Sequence, residues 1–540
     1  MYSRLLSAGL YGLNGEETWV EVDVESGLPV FNIVGLANQS IKEAKDRIHA
    51  AVMNSGFDFA ARRITVNLTP ANKKKEGSHF DLPIALALLM STGQIRERGS
   101  GASLKTAYLG ELTLDGRLAP VEGVLPMITG LQKLGVGRVM IPEGNLAEAA
   151  LVKGMEIIPV ATLNQAASHV CAREEIKPVL AEGFKASDNA SISVPDFSDI
   201  RGQELVKRAA QVAAAGMHGM LMLGPPGVGK SMIGKRIPGI MPPLSYEEQL
   251  EVTQIYSVAG ELSAGLPMVT SRPFRSPHHS VSAAALIGGG SRPRPGEISL
   301  AHCGVLFLDE LPEFSGYTLD TLRQPLEDGE VSIVRVNGKC VYPSRFMLIA
   351  AMNPCRCGYY GDPVRPCTCT ASDRQRYAGK LSGPLLDRID IHISMGRVDY
   401  DDIAAHETHP GTDSARLREG VMRAVEVQRR RYRGLDISCN SQLTPDMIRR
   451  FCRLNDVCSS LMREAFSKWR LSARSYHRIL RVARTVADIE EIEEIQEEHI
   501  LEAISYRQRK EQGEGLQKQG GTGRGNKTVK DKKHGRRKTL

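Results

Sequence analysis

The spacing of apolar residues changes along the chain, and each change marks a different kind of element. Within residues 1–170, Thr18–Val24 and Arg63–Leu68 alternate apolar and polar positions, the period of a half-buried strand. Ser40–Ser55 and Pro83–Gly93 repeat instead on the helical period. Asp115–Gly116 is a tight-turn pair between the apolar runs Leu109–Leu114 and Leu118–Val121. A helical pattern over Val124–Leu134 and a strand at Arg138–Ile141 complete one α/β domain over residues 1–170. Residues 171–194 are rich in Lys, Glu, Asp and Ser, lack periodicity and read as a linker.

From residue 195 to 396 the strands change type. Met220–Leu223, Val305–Leu308 and Met347–Ala351 are apolar without alternation, as in a parallel sheet covered on both faces. From 397 to 510 the spacing predicts only helices: Leu417–Arg433, Thr444–Asn455, Ser459–Trp469, Ala473–Ala487 and Glu490–Gln508. Residues 511–540 have almost no apolar content, so they cannot offset the entropy of folding and are expected to be a disordered tail. The fold class is therefore α/β multidomain, with a separate helical unit and a tail.

Composition adds little until the charges are placed. The 540 residues, 42% of them hydrophobic, suit several globular domains. No run approaches the 18 or so apolar residues of a membrane span. Met1–Leu10 lacks the long apolar core of a secretory leader, so a cytoplasmic protein with reduced thiols and no membrane partner is expected. Nearly all of the net +7 sits in residues 511–540, which hold nine Lys/Arg against three acids. A basic tail of this kind, with its cluster Lys527–Lys538, would add salt-sensitive affinity for DNA or for any polyanion.

The chemistry concentrates after the second apolar strand type. Gly224, Pro225, Pro226, Gly227, Val228, Gly229, Lys230 and Ser231 fit the phosphate-binding pattern, flanked by a strand and a helix. In such a loop the glycines let backbone N–H groups approach phosphate, the lysine neutralises it and the hydroxyl meets Mg²⁺. Val305–Leu308 delivers Asp309 and Glu310 at its carboxyl end, where ligands of open α/β sheets sit. Asp309 suits Mg²⁺ and Glu310 an attacking water; alone, the pair would equally suit a helix start. Asn353, after the third strand, suits the γ-phosphate or its water, or is a turn residue before Pro354.

These motifs resemble those of AAA+ ATPases. Asp199–Gln203 looks like their adenine-side motif, Gly224–Ser231 like Walker A, Leu306–Glu310 like Walker B and Asn353 like sensor 1. Gly383–Asp390 resembles the arginine-finger segment of the magnesium-chelatase and MCM-like branch, and Leu471–Arg474 its sensor 2. Arg272–His279 and Pro295–His302 look like further motifs of magnesium-chelatase-like proteins. The resemblance implies that ATP and Mg²⁺ are the cofactors. It also implies that Arg474 senses the γ-phosphate in cis and that Arg388 completes a neighbour's site in a hexamer. Without it, Arg388 would read as a surface ion pair with Asp387 or Asp390.

Leu109–Gly123 and Gly135–Pro142 resemble the C-terminal half of a Lon-type protease domain, but the Ser-Lys dyad is missing. The serine register falls near Phe80, and Val124 follows Gly123 where that family has its lysine. Ser78, with Lys73, Lys74 and Lys75 nearby, is a displaced candidate nucleophile; scaffold, ring contact or DNA contact is the expected role. A Lon-like domain without its dyad, joined to a magnesium-chelatase-like motor, resembles the ComM/YifB family. That resemblance implies an ATP-driven hexameric DNA helicase promoting branch migration, in natural transformation among other settings. A protein-remodelling motor, or a motor partnered with a chelatase subunit, stays open.

Four further features bear on partners. Val331–Tyr342 is a hairpin signal with Asn337–Gly338 at its turn, so Arg335 and Lys339 are candidates for DNA contact or simply solvated charges. Arg429, Arg430, Arg431 and Arg433 are a basic run at a helix end. Cys355, Cys357, Cys367 and Cys369 have the composition of a Zn²⁺ site, with reduced thiols as the alternative. His278 and His279 suit a structural or nucleic-acid role better than a metal.

Overall fold

The computed structural model describes every residue except 37–38, 74, 98–104, 182–193, 263–267, 291–292, 336–337, 399–411, 470 and 508–540. The expected disordered tail and the tip of the expected hairpin lie outside the described residues.

The N-terminal part is an eight-stranded mixed sheet. Its strand order is Val179–Leu180, Glu156–Val160, Arg138–Pro142, Thr106–Tyr108, Tyr2–Tyr11, Asn14–Glu25, Arg63–Thr69, Val30–Val34. Asn14–Glu25 alternates as the pattern predicts: Val20, Val22 and Val24 are buried beneath the helices Gln39–Asn54 and Asp81–Ser91. Leu6, Ala8, Ala107 and Val139 bury the opposite face against the helix Val124–Lys133. The strand Tyr2–Tyr11 shows no alternation, because Leu5, Leu6, Ser7 and Ala8 are all buried between the two layers. The expected linker at 171–194 begins later than its composition suggests. Val179–Leu180 pairs antiparallel with Glu156–Ile157, and Ala181 is buried.

The second sheet has five strands, all parallel, in the order Phe274–Arg275, Val305–Leu308, Met347–Met352, Met220–Leu223, Ile391–Ser394. Alternate residues feed two cores. Met220, Met222, Val305, Phe307 and Ile349 face the helix Glu204–Gly216 and the C-terminal helices; Leu221, Leu306, Leu308 and Leu348 face the other way. Both faces are covered, which explains apolar strands without a polar stripe. The carboxyl ends Leu223, Leu308 and Met352 open onto one edge, and the loops there carry the candidate chemistry.

The C-terminal unit contains the helices Ser414–Arg431, Pro445–Phe451, Asp456–Lys468, Ala473–Ile489 and Glu497–Ser505. Two are shorter than their periodicity predicts. Cys452 ends one helix, and the Asn455 side chain caps the next by accepting from the Cys458 N–H at 2.8 Å. Glu491 adopts a left-handed φ of 58°, which breaks the helical run expected from Glu490, and Gln496 is extended at φ −101° and ψ 173°, so the next helix starts only at Glu497. A buried polar network joins this unit to the sheet. Asp390 bonds His218 Nδ1 at 3.0 Å, and His218 Nε2 meets Thr485 Oγ1 at 2.8 Å. Asn440 donates to Thr485 and Asp488, and Asp488 pairs with Arg431 and Arg484.

The N-terminal sheet also contacts the part that carries the five-stranded sheet. Glu148 accepts from the Leu125 N–H at 2.9 Å and from the Ser257 hydroxyl, and Arg294 pairs with Glu122 at 2.8 Å. The antiparallel hairpin Glu330–Arg335 with Gly338–Pro343 lies between the second and third central strands in the chain. Its inner face, Val331, Ile333, Cys340 and Tyr342, is buried, and Tyr11 packs against the same core. Cys340 and Tyr342 lie beside Gly12, so the hairpin's inner face packs on the turn between the first two strands of the chain.

Candidate nucleotide-binding site

The loop 224–229 joins Met220–Leu223 to the helix Lys230–Ile240. Gly227 and Gly229 sit at φ of 85° and 90°, a region that favours glycine, and nothing lies within 4 Å of a Cβ built on either. The concavity is thus open at the positions where side chains would fill it, at a helix N-terminus with no acid in its first turn. That cradle fits a polyphosphate.

Lys230 is 9% exposed. Its ammonium donates to the carbonyls of Gly224 and Pro225 at 2.7 and 2.8 Å and to Asn353 Oδ1 at 3.0 Å. Burial pulls its pKa down, against the raising effect of Asp309 and Glu310. Ser231 Oγ donates to Asp309 Oδ2 at 2.6 Å, and Asp309 Oδ1 accepts the Glu310 N–H at 2.9 Å. The structure therefore brings together four residues that are up to 123 positions apart in the chain. A hydroxyl and a carboxylate side by side suit Mg²⁺ with part of its water shell.

Glu310 adopts a left-handed φ of 51°, and its side chain is 56% exposed at the sheet edge. His279 Nδ1 stands 3.6 Å from Glu310 Oε2, and the His279 ring stacks on His278 with centroids 4.0 Å apart. The histidine pair thus faces the carboxylate proposed to activate water, a neighbour that the motif alone does not reveal.

Arg388 follows the short helix Gly383–Leu386. It pairs with neither Asp387 nor Asp390, the partners its sequence neighbourhood suggested. Its guanidinium donates to Glu327 and to the Pro384 carbonyl, while its Nε is buried without a partner. The hydrogen bond from Arg388 holds the Glu327 carboxyl below its ordinary range, helped by the charges of Arg388, Arg474 and Arg478. Arg474 is exposed at the start of its helix, and its charge is felt at this carboxylate. The structure groups Arg474 with Arg388, and neither is among the partners of Lys230. Glu327 escaped the sequence reading because nothing in Arg323–Asp328 marks it.

The four cysteines converge. Cys355 Sγ lies 3.3 Å from Cys357 and 3.6 Å from Cys367, Cys357 lies 3.6 Å from Cys367, and all four sulfurs fall within 4.8 Å of one another. Glu251, His302 and Cys303 form a second tight group. There His302 accepts the Arg345 N–H on Nδ1 and meets Glu251 through Nε2, so both ring nitrogens are engaged.

Among the described residues the N-terminal sheet shows no Ser-Lys pair. Ser78 Oγ donates to Glu111, and the Lys75 ammonium is held by the carbonyls of Pro70 and Lys73. Lys73 pairs with Glu16 at 2.8 Å, and Phe80 is fully buried at the head of the helix Asp81–Ser91. On the hairpin, Lys339 is exposed opposite Val334, and Arg335 stands opposite Gly338 in the register. Of the basic run, Arg431 is committed to Asp488.

Comparison with known proteins matches three stretches of the chain. Residues 196–403 fit the family model described as magnesium chelatase, subunit ChlI; residues 20–145 and 411–507 fit the models for subunit ChlI of Mg-chelatase and for the ChlI C-terminal part. The competence protein ComM of Haemophilus influenzae is 41% identical over 501 residues, covering 92% of this chain and 95% of that protein. The uncharacterized protein YifB of Escherichia coli is 42% identical over 500 residues, with the same coverage. A Lon protease of Mycolicibacterium smegmatis is 28% identical over 141 residues, 25% of this chain and 17% of the protease. No helix among the described residues is long and apolar enough to cross a membrane.

Proposed function

The chain belongs to the ComM/YifB family of magnesium-chelatase-like proteins, and from that premise we propose that it is an ATP-driven, hexameric DNA motor that promotes branch migration during recombination. Natural transformation is the setting suggested by the competence protein it resembles over nearly its whole length. The observation that carries the ATPase half is the convergence of Lys230, Ser231, Asp309 and Asn353 beside an open glycine cradle.

Mg²⁺–ATP supplies the phosphoryl group and the charge that its transfer to water creates. The backbone of residues 224–229 binds the phosphates, and Lys230 exchanges its present oxygen partners for theirs. Ser231 and Asp309 would hold the metal, Glu310 would take the proton of the attacking water, and Asn353 would orient that water. Arg388 of one subunit leaves Glu327 to meet the γ-phosphate bound by the next, a contact worth orders of magnitude in rate. Arg335 and Lys339 grip the strand, so that nucleotide state moves DNA. The four-cysteine cluster would hold Zn²⁺, and the N-terminal domain serves as scaffold rather than protease.

The test is ATP hydrolysis by the purified protein with and without forked or single-stranded DNA, with Glu310→Gln beside it. Stimulation by DNA that is lost in Glu310→Gln supports the reading. Hydrolysis indifferent to DNA transfers the motor to a protein or chelatase-type substrate.

A further inference from the structure

We propose that the tetrathiolate centre of Cys355, Cys357, Cys367 and Cys369 is a structural clamp on the phosphate loop, so that zinc occupancy sets the affinity for ATP. This rests on the zinc reading above and adds its consequence for the nucleotide site.

The sulfur geometry favours a shared metal. A disulfide needs sulfurs about 2.05 Å apart. Three of the Sγ–Sγ separations are 3.3, 3.6 and 3.6 Å. A tetrahedron with Zn–S of about 2.3 Å has edges of about 3.8 Å. The sulfurs therefore stand too far apart for bonding to each other and close to the spacing that one ion imposes. An all-sulfur tetrahedral set selects Zn²⁺ or iron over hard cations.

The chain between the cysteines has no apolar core of its own. From residue 358 to 366 only Gly358 is buried as a whole residue and Val364 is 68% exposed; the buried Asp362 carboxylate is occupied by the Val364 and Arg365 N–H groups and by Arg397. A segment without a core needs a covalent or metal staple to offset its ordering entropy. Its one buried residue is also its contact with the nucleotide site. Gly358 adopts φ of +89°, and a Cβ there would stand 2.7 Å from Pro226 Cδ in the phosphate loop and 4.0 Å from Asn353 Cγ. The Gly358 N–H donates to the Cys355 carbonyl at 2.9 Å, which ties this contact directly to the first thiolate.

Two more contacts brace the arrangement. Asp362 pairs with Arg397 at 2.7 Å, just beyond the strand that flanks Met220–Leu223. Tyr377, on the helix Ala371–Ala378 that starts two residues after Cys369, is buried in the same core as Met352, the residue before Asn353. The loop is thus pinned by its thiolates at one side and rests on Pro226 and Asn353 at the other. Releasing the metal frees the surface against which the phosphate loop is formed.

The experiment measures metal content and nucleotide affinity on the full-length protein. We expect one zinc per chain, and several-fold weaker binding of a fluorescent ATP analogue by the double variant Cys367→Ser/Cys369→Ser. Gly358→Val keeps all four thiolates and is expected to retain zinc while losing affinity for the analogue. It carries the test if the cysteine variant fails to fold. Absence of stoichiometric zinc, or iron in its place, overturns the zinc reading. Stoichiometric zinc with unchanged affinity in Gly358→Val overturns the clamp and leaves the zinc site standing.

Discussion

Lys230 shows how much of a site one residue's surroundings can prepare. Its ammonium already lies against three oxygens, so phosphate replaces partners instead of meeting a bare charge. Lys230→Ala should therefore abolish ATP binding, whereas Glu310→Gln should bind ATP normally and lose about 100-fold or more in hydrolysis. Equilibrium binding and steady-state turnover separate the two, and equal loss of binding in both would argue against a water-activating Glu310. Arg388 makes a different demand, since among the described residues its only carboxylate partner is Glu327. Arg388→Ala should be nearly inactive alone but regain turnover when mixed with Lys230→Ala chains, each supplying what the other lacks. No recovery on mixing would contradict a finger that acts across subunits. At this scale the phosphate loop was legible because its residues are contiguous. Glu327 and Gly358 were not, because their meaning comes from partners 61 and 132 residues away.

Between elements, the strand Ile391–Ser394 is joined to the C-terminal helices through Asp390. Burial would raise the pKa of this carboxyl, but the hydrogen bond from His218 and the charges of His218, Arg478 and Arg481 outweigh burial and hold it well below the ordinary range. The folded-state pKa is thus depressed. Its stabilisation is fully present above the unfolded value of about 4 and is lost as pH falls through the folded value. Asp390→Ala leaves His218 and Arg478 unpaired and should destabilise the motor by about 3–5 kcal/mol, read as a lower denaturation midpoint near neutral pH. An unchanged midpoint would remove the network from the stability account. The strongly periodic helices were legible; their ends were not, because Asn455 capping and the left-handed Glu491 act on single residues. The strand Tyr2–Tyr11 was missed because Leu5, Leu6, Ser7 and Ala8 are buried in succession, which breaks the alternation of a strand.

For the whole molecule, the division of labour follows from where charge and order lie. The candidate nucleotide site sits at the edge of the five-stranded parallel sheet, and the hairpin that carries Lys339 connects two of that sheet's strands. Its inner face packs on the turn between the first two strands of the chain, with Cys340 and Tyr342 beside Gly12. The motor's family was readable from motifs, since phosphate chemistry imposes local spacing. DNA engagement was far less so, because phosphate-gripping charges look like any solvated lysine or arginine. The most direct measurement is therefore branch migration itself, on a labelled three-strand junction with ATP and Mg²⁺. We predict displacement by the wild-type protein and none by Glu310→Gln, which still binds ATP. Equal displacement by both proteins, or none by a wild-type protein that hydrolyses ATP, would contradict the account.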